Sequence, residues 1–211
     1  AQWQAALRAV TYTVSVDNPN TGTRTLSLKL SGTGFDSAVV TKSVSVTAVN
    51  DVPVATPSSG ATAAIKQTAV AIDSGLTVVD ADNATLASAT VTISSGFVSA
   101  EDLLRYTNDG THGNIGGSFN ASTGVLTLSS SGASATVAQW QAALRSVTYT
   151  NSSGTPTYAN RTVTFVVNDG GLASAAVTKT ITMNVVVTYD TKGGSAIASG
   201  LAPVGGAIAA S

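Results

Sequence analysis

Thirteen residues at the start of the chain, AQWQAALRAVTYT (1–13), return at 138–150 as AQWQAALRSVTYT, with Ala9 against Ser146 the one change. A stretch recurring at a fixed spacing marks a repeated structural unit, and this constrains the fold more than any single residue. The correspondence runs on without a gap, pairing Arg24 with Arg161, Gly34 with Gly171 and AVVTK (38–42) with AAVTK (175–179), at a constant offset of 137 residues. Residues 1–48 therefore read as the C-terminal part of one repeat and residues 56–187 as a complete one. Residues 49–55 are the linker, placed where an alternating run ends at Asn50-Asp51-Val52-Pro53, because proline cannot donate to a sheet ladder. The first and last residues both fall in mid-pattern, so the chain is expected to be a piece of a longer protein.

Within the complete repeat the apolar period is mostly two. TLASATVTI (85–93), GVLTLSS (124–130), SVTYT (146–150), RTVTFVV (161–167) and AAVTKTITMNVVV (175–187) alternate apolar residues with Thr, Ser or Lys, the pattern of half-buried strands. Asn108-Asp109-Gly110 and Asn168-Asp169-Gly170 punctuate them as turns, since Asn, Asp and Gly tolerate positive φ. The expected fold is all-β, an antiparallel sandwich. One segment departs from the period. Thr136 followed three residues later by Gln139 is a capping-box pattern, and Val137, Trp140 and Leu144 recur at helical spacing. This predicts one short helix per repeat, with Trp140, and Trp3 in the first copy, as core anchors.

Composition narrows the function. The chain has 211 residues, of which only 10% are charged, with a net charge of −1 and no excess of Lys and Arg to neutralise phosphates, so nucleic-acid binding is not expected. Without Cys there is no disulfide, thiol nucleophile or Cys-ligated zinc. One His and one Glu, Glu101, leave little general acid/base material, and no enzyme is expected. His112 lies in a Gly-rich loop and reads as a solvated turn residue. The apolar tail 196–210 is broken by Gly and Pro and is shorter than the roughly 20 residues of a membrane span.

The few carboxylates are unevenly placed. Asn50 and Asp51 lie in the linker, and Asp80-Ala81-Asp82-Asn83 follow an expected strand. Alternate residues of an extended segment point the same way, so Asp80 and Asp82 can present oxygens together, as Ca2+ requires. Asn50 and Asp51 could complete that group, and Asp73 could add an oxygen. The alternative is that these are only turn and strand-exit residues.

The linker TAVNDVP (47–53) followed by VDADN (79–83), and the order LTVVDADN, AQWQAALRSVTYT, RTVTFVVNDG, resemble the cadherin-like repeats of chondroitin-sulfate-proteoglycan type found in tandem in large secreted bacterial adhesins. The resemblance implies an Ig/cadherin-like sandwich with Ca2+ at the interdomain junction, carried here by Asn50, Asp51, Asp80 and Asp82. No match to the Leu-Asp-Arg-Glu element of animal cadherins is present, so a full three-ion cluster is not expected. VTYDTKGGSAIAS (187–199) is similar to the opening strand and turn of internalin-type B repeats, which makes residues 188–211 the start of a β-grasp module.

These readings predict a non-catalytic structural repeat of an extracellular, bacterial cell-surface adhesin or fibre, whose partners are neighbouring repeats of the same chain. Two other readings remain open. One is a domain binding a host glycan or protein, for which Tyr106, His112 and Tyr158 are the loop candidates. The other is self-association into fibres, because residues 1–48 without the first half of their repeat would expose a core face and unpaired strand edges.

Overall fold

Small side chains that alternate with Thr and Ser make strands because the pleat sends successive residues to opposite faces, one buried and one wet. The computed structural model describes residues 2–187 and 200–203, in two units, Ala1–Asp51 and Val52–Ser211. The first contains helix α1 (Gln2–Arg8) and strands β1 (Arg24–Leu28), β2 (Ser31–Gly32), β3 (Phe35–Asp36) and β4 (Val40–Val44), with β1 antiparallel to β4 and β2 to β3.

The second unit begins with β5 (Val54–Thr56), β6 (Thr62–Ile65), β7 (Val70–Ala71), β8 (Thr77–Val79) and β9 (Ser88–Ser95). There follow β10 (Asp102–Arg105), β11 (Ile115–Asn120), β12 (Val125–Ser130), helix α2 (Val137–Ser146), β13 (Thr148–Asn151), β14 (Arg161–Asn168), β15 (Val177–Val187) and β16 (Gly200–Pro203). The main sheet runs β11-β12-β9-β14-β15-β16 with β6 joined to β15, while β10-β13-β7 and β5-β8 form smaller sheets. One continuous core fills the space between them, built from alternate inward residues such as Ala89, Val91 and Ile93 of β9 and Val163, Phe165 and Val167 of β14. The protein is thus an all-β sandwich.

One pairing departs from the antiparallel expectation. Strand β6 runs parallel to β15, with Thr62 opposite Ile181. These strands are separated by more than a hundred residues, so no hairpin fixes their direction, and a long connection permits the parallel arrangement. Elsewhere local chemistry sets the geometry. Gly96, at φ 73°, allows the end of β9 to approach β14 so closely that a Cβ would lie 2.3 Å from the Asn160 carbonyl oxygen.

Helix α2 has the expected cap. Thr136 Oγ1 accepts the Gln139 N–H at 3.2 Å, and Gln139 Oε1 accepts the Thr136 N–H at 2.9 Å. Trp140 and Leu144 are fully buried, and the Trp140 indole N–H donates to the Leu86 carbonyl at 2.9 Å. The same sequence forms α1 in the first unit, but there the expected core anchor is absent: Trp3 is 71% exposed. In the second unit Trp140 is held by Leu86, which comes from an earlier part of the repeat than the helix itself. The helix forms from local sequence, whereas its burial depends on the other half of the repeat. Residues 188–199 of the expected β-grasp opening lie outside the described residues; Gly200–Pro203 is a strand paired with the end of β15.

The two tryptophans should therefore respond differently to truncation. Trp140→Ala is expected to cost the second unit about 3–5 kcal/mol. Trp3→Ala should change stability by no more than roughly 0.5 kcal/mol. Urea unfolding followed by circular dichroism measures both.

Candidate functional site

Strand β8 ends at Val79, and the chain turns on the carboxylate of Asp80, whose Oδ1 accepts the N–H of Asp82 at 3.2 Å and of Asn83 at 2.8 Å. The Asn83 amide donates to Asp82 Oδ1 at 3.3 Å and to Asp169 Oδ2 at 3.5 Å. Asp169 belongs to the turn after β14, where its Oδ1 accepts the N–H of Gly171 and Leu172, and Gly170 takes φ 110°. The structure places Asp80 and Asp82 in a turn closed on Asp80, not on the extended segment the sequence suggested, with Asn83 and Asp169 beside them. The Asn-Asp-Gly sequence signalled a turn at Asp169 but not that the turn would reach Asn83, which depends on how β14 packs beside β9.

The electrostatics of this cluster are unusual for the molecule. Asp80 Oδ2 is shielded from solvent and has no hydrogen-bond partner. Burial, and secondarily the neighbouring Asp82, push the Asp80 carboxyl above the ordinary carboxylate range, although the two backbone N–H groups pull it down. An unsatisfied buried acceptor costs about 1–3 kcal/mol. A hard cation bound by carboxylate and carbonyl oxygens would remove that cost, so Asp80 and Asp82 fit a calcium ligand set. Among the described residues no three His, Cys, Asp or Glu side chains group to hold a metal ion. Most of the six to eight oxygens of a calcium shell would have to come from backbone, amide or water.

The remaining expected ligands are placed differently. Asn50 and Asp51 are exposed in the first unit, with the Asn50 amide donating to the Asp51 carbonyl. Asp73 is buried between β7 and β8 and already faces a cation: Lys179 Nζ lies 3.7 Å away. Burial alone would raise its pKa, but hydrogen bonds from Ser58 and Gly75 and the Lys179 charge outweigh it and hold the carboxyl below its usual value.

A second polar group, not anticipated from the sequence, lies between the sheets. Arg161 of β14 is fully buried and holds Asp102 of β10 through Nε and Nη2 at 3.1–3.2 Å, with Glu101 at 3.4 Å. Tyr149 Oη donates to Asp102 at 2.7 Å, and Asn151 donates to both acids. Hydrogen bonds from Asn151 and Thr157, with Arg161 nearby, keep Glu101 below the usual carboxylate range, while burial first and Asp102 second push the Tyr149 phenol up. Every acid here is committed to a donor, which is the arrangement of a structural ion pair.

His112 is buried rather than solvated. Its ring lies 5.7 Å from that of Tyr106, whose hydroxyl is 3.3 Å from Nδ1, because the loop folds back and Asn108 donates to the carbonyls of Gly113 and Ile115. Tyr106 and Tyr158 are half-buried and pack against the core, and only His112 of the three is buried.

No family model matches the chain. Among curated proteins it is similar to Halomucin of Haloquadratum walsbyi, at 34% identity over 182 aligned residues that take in 76% of this chain and 2% of that protein. The chain thus spans a small fraction of its relative. Among solved structures it is similar to domains 4 and 5 of the S-layer protein SbsC, at 15% identity and a TM-score of 0.36, covering 76% of this chain and 57% of that one. No helix among the described residues is long and apolar enough to cross a membrane.

The raised Asp80 carboxyl makes a signed prediction. The folded state holds this proton more tightly than the unfolded state does, so ionisation opposes folding at neutral pH and the penalty fades as pH falls through the raised pKa. In calcium-free buffer at pH 7, Asp80→Asn should raise the unfolding temperature or leave it unchanged, and its advantage over the native chain should shrink toward about pH 4. Differential scanning calorimetry across that range gives the comparison.

Proposed function

We propose that the chain is a non-catalytic structural repeat of an extracellular surface protein, stiffened by calcium bound at Asp80 and Asp82 near the start of its complete repeat. The observation that carries the reading is the recurrence at a 137-residue offset. Tandem copies of a sandwich add length in proportion to their number and need no active site. The match to Halomucin supports it, since the matched stretch is only 2% of that protein, the scale expected of one module in a very long chain. The acids support the absence of catalysis: the buried Asp102 and Asp73 and the part-exposed Glu101 are each tied to donors or cations. In this reading residues 1–48 are the second half of one repeat, 49–55 the linker, 56–187 a whole repeat, and 188–211 the start of a further module. The orphaned Asp80 oxygen is the ion's proposed anchor. The bacterial assignment rests on the adhesin resemblance.

Calcium is expected to raise the stability of the second unit. With a Kd of roughly 0.1–1 mM, the range of extracellular modules, 10 mM Ca2+ should add about 1.4–2.7 kcal/mol. Calorimetry with and without EDTA reads the gain, and small-angle scattering reads whether the chain becomes stiffer. If neither changes, and Asp80→Ala with Asp82→Ala is silent in both, calcium has no part in this junction.

A further inference from the structure

Asn followed two residues later by Ser or Thr, the acceptor pattern for N-linked sugars, stands at Asn83, Asn120, Asn151 and Asn160 of the second unit. We propose that Asn120 is an acceptor for an N-linked oligosaccharide, and that the fold withholds the other three from that modification. The proposal needs an extracellular chain, as in the reading above, but not calcium.

The same pattern meets four different environments. Asn151 is fully buried, and its amide donates to Glu101 at 3.0 Å and to Asp102 at 3.3 Å. A sugar on that nitrogen would replace one of its protons and intrude on the ion pair that holds Arg161. Asn83 is half-buried, with its amide donating to Asp82 and Asp169. Asn160 is exposed, but the residues after it are fixed: Arg161 is fully buried, and Thr162 lies between Ser95 of β9 and Thr180 of β15. Residues two apart on a strand stay about 6.6–6.8 Å from each other, so the Thr162 hydroxyl is held away from the Asn160 amide.

Asn120 differs from all three. It is the last residue of β11, and with Ala121, Ser122 and Thr123 it is exposed in the hairpin loop that leads to β12. Its Oδ1 accepts the Ser122 N–H at 2.9 Å, and its carbonyl accepts the N–H groups of Thr123 and Gly124. The carboxamide is thus folded onto its own acceptor pattern through its oxygen, and among the described residues its Nδ2 has no acceptor. Gly124, at φ 71°, seats the loop on Phe97, where a Cβ would lie 2.9 Å from the ring, and leaves the pattern facing outward.

The position also has a physical use. Among the described strands β11 pairs with β12 alone, so it is the outer strand of the main sheet. Its six residues, IGGSFN, include no charge and no Pro, the features that usually keep an outer strand from pairing with another chain. A bulky, hydrated oligosaccharide at its last residue obstructs such pairing. In the transfer, Asn120 Nδ2 bonds to the anomeric carbon of a glycosyl group carried on a polyisoprenyl diphosphate. The bond from that carbon to the phosphate oxygen breaks, the diphosphate leaves with the bonding pair, and one amide proton passes to a base. Nothing is oxidised or reduced.

The test treats the folded chain with a single-subunit oligosaccharyltransferase and chitobiose linked to polyprenyl diphosphate, and maps the product by mass spectrometry. Glycan is expected on the peptide that contains Asn120 and on no other. Its occupancy should fall by about tenfold or more in Asn120→Gln. The same loss is expected in Ser122→Ala, which removes the hydroxyl of the pattern but keeps the backbone N–H that Asn120 holds. A free peptide of residues 116–125 reports on the sequence without the fold and should also be modified. The proposal is overturned if glycan appears on Asn83, Asn151 or Asn160 of the folded chain, or if Ser122→Ala keeps full occupancy. It is equally overturned if Asn120 of the folded chain stays bare, whether or not the free peptide is modified. A chain modified at Asn120 but indifferent to calcium would remove the ion of the preceding reading and leave this proposal standing.

Discussion

A guanidinium with no access to solvent must be met by carboxylates from the strands around it, since removing one partner of a buried ion pair costs about 3–5 kcal/mol. Arg161 is in that position, and the groups that meet it come from the opposite part of the repeat: Glu101 and Asp102 precede helix α2, whereas Arg161 follows it. Tyr149 and Asn151 of β13 then bind the same acids, linking β10, β13 and β14 in one network. The two sheets consequently close together or not at all. The burial of Trp140 and the inward rows of β9 and β14 presuppose that closure.

The same rule organises the other buried charges. In a chain where charged residues are only 10%, Asp73 is matched to Lys179, and both Asp73 and Glu101 are held below their ordinary pKa. Such acids add stability above the ordinary carboxylate range, and that stability is lost as pH falls through their depressed values. Asp80 is the opposite case. Its raised pKa means that its charge works against folding at neutral pH, and its second oxygen receives no hydrogen bond. A cation would reverse the sign of that contribution, which is why the calcium proposal centres on Asp80 and not on the better buried Asp73.

Much of this could be read from residue order alone. Alternation identified β9, β12, β14 and β15, each of six or more residues with one face in the core, and reached the short β13 through the run SVTYT. Thr136 with Gln139 identified the helix start because the capping box is a local arrangement. Strands β5 to β8 have two to four residues each, too few to show a period, and β11, with Gly116 and Gly117 in it, has mostly exposed positions. The parallel pairing of β6 with β15 and the meeting of Asn83 with Asp169 are long-range, and neither leaves a trace in nearby sequence. His112 is buried for a related reason: a Gly-rich loop suggests exposure, but the fold-back that sets the ring against Tyr106 is made by Asn108.

The repeated segment separates what is encoded locally from what is not. Twelve of thirteen residues are identical between 1–13 and 138–150, and both copies form a helix there. The strands downstream also keep the same register in both copies, although Leu26 and Leu28 face Val163 and Phe165 in the alignment. Helix, turn and register therefore follow from the segment itself. Solvent exclusion does not: identical tryptophans are 71% and 0% exposed.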